Sequence, residues 1–224
     1  MNIPANVSLS LPTLMTFPSN FMNASLFNLP SYLSQFSNVF PDLENQLPWT
    51  IPGNLSQILV KKIQTLSPEY VIRGEAAIHR SAIIEEHVIL KGPMIISEGC
   101  FIGAHAYLRG GVFLGHRSGI GPGCEVKSSV ILSDSALAHF NFVGDSIVGS
   151  MVNMEAGSVI ANHYNERSDK TIHVRVDGKR IRLDITKFGA IVGDRTKIGA
   201  NSVLSPGTVL LPDSIVKRLE LMEQ

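Results

Sequence analysis

Seven histidines and two cysteines are the side chains best able to serve this chain as base, nucleophile or metal ligand. An imidazole with an ordinary pKa near 6.5 can accept a proton at neutral pH, so each histidine is a candidate general base. His139 is marked out by position: it follows Ala138, where a long repeat ends, and a break in a repeat can aim a side chain at a ligand. His105 and His116 take outward places in that repeat and should be solvated. A zinc site needs three or four converging ligands, and no closely spaced histidine pair lies along the repeat, so no metal is expected. Cys100 and Cys124 both fall at small inward positions and are expected buried, unpaired and on different walls. Two free thiols suit a reducing cytoplasm. Arg175, Lys179, Arg180 and Arg182 give a late segment a basic edge, either a solvated face or a contact for ligand phosphates.

The repeat that positions these groups runs from Ile78 to Ala138. Every sixth residue is aliphatic: Ile78, Ile84, Leu90, Ile96, Ile102, Leu108, Leu114, Ile120, Val126 and Leu132. With 44% of residues hydrophobic, ten such hits in a row arise by chance about three times in 10,000, so the count is a structural signal. A second series four places on (Ala82, Val88, Met94, Cys100, Ala106, Val112, Ser118, Cys124, Val130, Ala136) is small or compact in all but one case. Six is neither the period of a helix nor that of a lone strand. Short strands wound three to a coil, with sharp corners at residues such as Gly99, Gly103, Gly115 and Gly121, satisfy it. The expected product is a three-sided prism whose coils stack as parallel strands.

The chain divides at about residue 70. Residues 1–69 show no six-residue count and read as an extension with loops, a short helix near Ser31 to Asn38, and a helix from Leu55 to Leu66 capped by Asn54. That helix is expected to cover the open end of the first coil. Residues 70–224 read as the column. Beyond Ala138 the register returns, displaced, at Phe142, Val148, Met154 and Ile160; it vanishes over about 163–187 and resumes at Val192, Ile198, Leu204 and Leu210. The gap reads as a β-hairpin turning at Asp177-Gly178, and residues 214–224 as a short terminal helix. Charges balance at 19 basic and 19 acidic, which gives no electrostatic reason to expect nucleic acid or an anionic membrane. No apolar run is long enough for a membrane span, and the first 17 residues lack the basic start of a secretory signal, so a cytoplasmic location is expected.

Ile102-Gly-Ala-His-Ala-Tyr107 and its kin resemble the hexapeptide repeats of left-handed β-helix acyltransferases. The left hand is carried over from that resemblance. The expected fold is therefore all-β: a left-handed parallel β-helix with a small helical and irregular N-terminal extension. Within it, Gly123-Cys-Glu-Val-Lys127, Ala138-His-Phe-Asn-Phe-Val-Gly-Asp145, Gly149-Ser-Met-Val-Asn-Met-Glu-Ala-Gly157 and Asn162 are similar to a narrower family. That family is the C-terminal acetyltransferase domain of bifunctional uridylyltransferase/glucosamine-1-phosphate acetyltransferases and related sugar-1-phosphate nucleotidylyltransferases. The resemblance covers about residues 70–215. It implies His139 as general base, Arg109 and Lys127 as contacts to a sugar phosphate, and Asn153 as a sugar-binding amide. Asn162, with Ala190 and Ser205 by a looser alignment, would contact acetyl-CoA.

Two departures stand out. Phe142 occupies a substrate-side position where the family commonly has tyrosine, and His163 separates Asn162 from Tyr164. No glycine-rich nucleotide loop is present, so pyrophosphorylase activity is not expected of this chain. The resemblance implies a CoA-dependent acyltransferase, an N-acetyltransferase of an amino-sugar phosphate or nucleotide-linked amino sugar, with acetyl-CoA as donor and a homotrimeric assembly. The alternative is a non-catalytic trimerising or sugar-phosphate-sensing module.

Overall fold

The computed structural model describes residues 27–223; the readings made for residues 1–26 lie outside it. Residues 76–222 wind as a left-handed parallel β-helix of about 8 turns, each turn laying one short strand on each of three walls. The first, covered wall runs from Ala76–His79 through Ile147–Val148 to Thr208–Leu210. The second, small wall is a seven-stranded sheet from Ile83–Ile84 through Ala136–Leu137 to Ile215–Val216. The third, charged wall runs from Ile89–Lys91 through Phe142–Gly144 to Leu221–Met222. Strands Tyr107–Leu114 and Glu125–Ile131 are long because they turn from the charged wall onto the covered one.

The counted residues fill the axis. Ile96, Ile102, Leu108, Leu114, Ile120 and Val126 form one buried core, with Ile84 and Leu90 partly buried against it at the first turns. Cys100 and Cys124 are buried and free.

The count slips earlier than the sequence suggests. Opposite Arg109, Gly110, Gly111 and Val112 stand only Lys127, Ser128 and Ser129, so the corner of the next coil is one residue shorter. The inward residue becomes Ile131, while Leu132 packs outward with the N-terminal segment. From there Leu137, Val143 and Val148 point inward, which moves the phase off Ala138 and Phe142. Leu132 continued the pattern only because its outer surroundings are as apolar as the axis. The slip therefore falls at Ser128 and Asp145, and the corner that holds His139 keeps a full six-residue step.

The expected helix over 214–224 is not formed. Ile215–Val216 and Leu221–Met222 add another turn, paired with Lys197–Ile198 and Val203–Leu204. Val216 joins the core and Met222 packs against it. A helix would have left the Lys197 and Val203 strands as open edges with unmatched backbone groups.

The N-terminal segment also differs from expectation. It forms a 3-10 turn at Leu29–Ser31, a one-turn helix at Phe36–Val39 and a helix at Ile51–Ile63. That helix begins before Asn54 because Pro52 sits in the first turn, where its missing N–H costs nothing. The Asn54 amide donates to the Thr50 carbonyl at 3.0 Å instead of capping. Nor does the helix plug the end of the column. Leu55 and Leu59 lie on the covered wall with Ile95, Phe113, Val130 and Ile147. Full burial of a Leu or Phe is worth about 1.5–3 kcal/mol, so this layer is integral to the fold. Gly111 permits the approach, since a Cβ there would come 2.8 Å from the Ser56 nitrogen. Asp194 fastens the layer: it accepts from Ser34 N–H at 2.9 Å, Ser34 Oγ at 2.7 Å and Ser150 N–H at 2.8 Å.

Residues 163–188 leave the column and return. His173–Val176 and Lys179–Arg182 form an antiparallel hairpin across the turn Asp177-Gly178. Its buried side packs with the covered-wall layer. Two walls, the small and the charged, are left without cover from the described residues.

Candidate functional site

Lys127, Asn162 and His139 fall on the two edges of the charged wall, with Arg109 alongside. One edge is the shortened corner. Lys127 Nζ sits 2.5 Å from Asp145 Oδ2, with their side chains 18% and 9% exposed. The Asn162 amide donates to the same Asp145 oxygen, and the Asn162 carbonyl oxygen lies 3.2 Å from His163 Nδ1. Asp145 adopts φ 45 and Ser128 φ 46, a left-handed turn shared with other corners of the column such as Phe140 at φ 52. Serine hydroxyls satisfy the backbone there. Ser129 Oγ donates to the Lys127 carbonyl at 2.7 Å and accepts from Ser146 N–H at 3.0 Å. Ser146 Oγ donates to the Gly144 carbonyl at 2.7 Å and accepts from Ala190 N–H at 3.0 Å.

Arg109 stands one coil from Lys127 in the same register, and Lys91 one coil further, so three cations form a ladder. Glu125 pairs with Arg109 at 2.7 Å. Phe142, half-buried, sits between Glu125 and Val159 on the same wall.

The opposite edge carries His139. It is exposed, and its carbonyl accepts from Gly157 N–H at 2.9 Å. The histidine side-chain hydrogen bonds and ion pairs among the described residues involve His79, His87, His116 and His163, which leaves the His139 imidazole unpaired. Phe140, next in the chain, is 74% exposed with φ 52. Its ring lies over Gly123, where a Cβ would be 2.6 Å from ring carbons and would push the exposed ring aside. Below the same corner Glu155 is held by Arg218 at 2.7 Å and by Ala200 N–H at 2.9 Å. Those bonds pull its carboxyl down to about 2.

Within one chain, then, Lys127 and Asn162 are joined through Asp145, Arg109 lies alongside, and His139 stands at the other edge. Asn153 is exposed on the small wall, between Ala136 and Lys197. Ala190 points into the core with its N–H taken by Ser146, and Ser205 is buried with its N–H bonded to Met222. Neither Cys is poised for chemistry: burial pushes the Cys100 thiol up to about 11 and raises that of Cys124. Among the described residues no group of three His, Cys, Asp or Glu side chains could hold a metal.

Asp145 and Glu125 were not assigned from the sequence. The available signal was opposite charge about one coil apart, which also pairs Arg117 with Asp134 and Arg195 with Asp213.

The geometry defines a left-handed β-helix of hexapeptide repeats with its candidate site on one charged wall. The chain belongs to the GMPPB C-terminal domain family, which it matches over residues 90–220. It is 37% identical over 109 residues to the bifunctional sugar-1-phosphate nucleotidylyltransferase/acetyltransferase of Sulfurisphaera tokodaii, covering 46% of this chain and 26% of that protein. It is 34% identical over 165 residues to the bifunctional protein GlmU of Methanocaldococcus jannaschii, covering 71% of this chain and 40% of that protein. The chain thus spans well under half the length of these relatives. A solved structure of a GDP-perosamine N-acetyl transferase variant from Caulobacter crescentus, in complex with CoA and GDP-perosamine, is 18% identical, covers 71% of this chain and 57% of that one, and superposes with a TM-score of 0.33. No helix of the described residues is long and apolar enough to cross a membrane.

Proposed function

We propose that the chain is a CoA-dependent N-acetyltransferase acting on an amino-sugar phosphate or nucleotide-linked amino sugar. The observation that carries this reading is His139, an unpaired imidazole on a corner between two uncovered walls. The similarity to bifunctional nucleotidylyltransferase/acetyltransferases supports it.

In the reaction the amine of the sugar attacks the thioester carbon of acetyl-CoA. The His139 imidazole takes the ammonium proton as the C–N bond forms. Backbone N–H groups of the corner stabilise the oxyanion. Collapse expels the CoA thiolate, which the imidazolium reprotonates, so the base is regenerated. Arg109 and Lys127 hold the sugar phosphate, exchanging Glu125 and Asp145 for phosphate oxygens or sharing the cations with them. Asn153 contacts the sugar and Asn162, with Ser205 beside it, the cofactor. Because His139, Asn153 and the Lys127 corner lie on different edges and walls, a complete site draws on more than one chain. A homotrimer packed through the small and charged walls, with acetyl-CoA in the groove between columns, supplies it.

Two observations favour the non-catalytic alternative: Arg109 and Lys127 already have carboxylate partners, and Phe142 has no hydroxyl. Acetyl-CoA tested against glucosamine 1-phosphate and nucleotide-linked amino sugars decides between them. The enzyme reading requires turnover that His139→Asn reduces by about 100-fold or more, and a melting temperature raised by acetyl-CoA. Turnover undiminished in His139→Asn removes the base, and neither turnover nor stabilisation leaves the binding module.

A further inference from the structure

The hairpin carries a surface that its role as a packing layer does not require. Its turn residues Asp177 and Gly178 have φ 48 and 74, the left-handed pair of a two-residue hairpin turn. Strand alternation sends Val174 and Val176 to the side that is buried with Ile172 and Leu183. His173, Arg175, Arg180 and Arg182 take the other side. The register sets Arg175 directly opposite Arg180, and His173 opposite Arg182. Like charges facing each other across adjacent strands destabilise a sheet.

Compensation is partial: through space the Asp169 carboxylate acts on Arg182 and His173. Arg175, Lys179, Arg180 and Arg182 form no ion pair among the described residues. Asp169, at one end of this face, accepts from Thr171 N–H at 2.9 Å, and Arg182 reaches only the Thr171 hydroxyl at 3.5 Å. The accumulated charge is felt locally: burial, then Arg180 and Arg182, push the His173 imidazole below its ordinary pKa. The array persists because its apolar side is clamped. Gly207 lies so close to the His173 carbonyl that a Cβ there would come within 2.0 Å. The root of the hairpin is the shortened corner, where Phe188 N–H donates to the Asn162 carbonyl at 2.9 Å.

Planar guanidinium forks grip phosphate oxygens two at a time, and three on one face suit clustered phosphate charge rather than a single carboxylate. We propose that this hairpin face, Arg175, Arg180 and Arg182 with His173, is a phosphate-binding platform for a nucleotide. The proposal rests on the acyltransferase reading only for the ligand's identity. That reaction brings two sources of such chemistry: CoA, with a 3′-phosphate and a diphosphate, and a nucleotide-linked sugar, with a diphosphate.

The test is thermal unfolding and calorimetric titration of the full chain and of the R175Q/R180Q/R182Q variant, with CoA, dephospho-CoA, UDP and UMP. Without ligand the variant is expected to melt about 1–3 °C higher, because opposed cations have been removed. It is expected to lose at least about tenfold in affinity for CoA or UDP, and high salt should weaken binding to the parent chain far more than to the variant. Preference for CoA over dephospho-CoA assigns the 3′-phosphate, and preference for UDP over UMP assigns the diphosphate. Equal affinity of the variant and the parent for all four nucleotides overturns the platform, as does a parent chain that binds none of them. A chain that binds CoA through the hairpin yet transfers no acetyl group keeps the platform and sinks the enzyme. Turnover with KM unchanged in the variant for both acetyl-CoA and the nucleotide-linked sugar does the reverse.

Discussion

The charged wall ends in two corners built from the same kind of repeat, and they have opposite characters. At one, a residue has been lost from the step, and Lys127, Asp145 and Asn162 close on one another in a nearly dry network. At the other the six-residue step is intact, yet His139 and Phe140 stand out in solvent. Shortening a corner pulls side chains together and satisfies them locally. Leaving it at full length spends the polar capacity of the side chain on whatever comes from outside. One edge is therefore a closed polar network, and the other carries an imidazole with no partner among the described residues.

Substitutions at the two edges should separate these roles. His139→Asn should lower kcat by about 10²- to 10⁴-fold with stability unchanged within about 0.5 kcal/mol, as read from turnover and urea unfolding of one preparation. Large destabilisation by this variant would make the bare corner a second clamp. Asp145→Ala should cost about 3 kcal/mol, because it strands a mostly buried ammonium and removes the acceptor of the Asn162 amide; the urea midpoint reports it. A loss below about 1 kcal/mol would show that Lys127 is free to turn outward.

Gly123→Ala should cost about 1–2 kcal/mol, combining left-handed strain with the clash against Phe140. Adding Phe140→Ala should recover the steric share alone, a double-mutant cycle that measures how firmly the exposed ring is seated. The smallest effect concerns Glu155. Its folded carboxyl titrates at about 2 because Arg218 and the Ala200 N–H stabilise the anion. A depressed pKa stabilises the fold above the ordinary carboxylate value near 4.5, and that contribution fades as pH falls toward about 2. Carbon-detected NMR titration of the Glu155 carboxyl should show the low midpoint, and Arg218→Gln should return it toward the ordinary value.

Much of the column was readable because the core demands one aliphatic residue per wall per turn, a rule that needs no knowledge of partners. The last turn was equally readable in Val216 and Met222, six apart and six after Leu210. The charged residues Lys217, Arg218 and Glu220 between them are corner and surface positions of that turn. The slip was not readable, because Leu132 satisfies the count whether it faces the axis or the N-terminal layer. The candidate residues were found by likeness to a motif, but their grouping was not: Ala190 carries the same letter whether it lines a cofactor cleft or the core, where it lies.

The order of residues alone determined the three-walled winding, because a hydrophobic side chain every six places can be buried in no simpler way. Tertiary structure alone decided which wall is covered, where the step shortens and which cations are already neutralised. Those outcomes depend on side chains a full turn or more apart in sequence, whose meeting is settled by the stacking of whole coils and by the layer that Asp194 ties down.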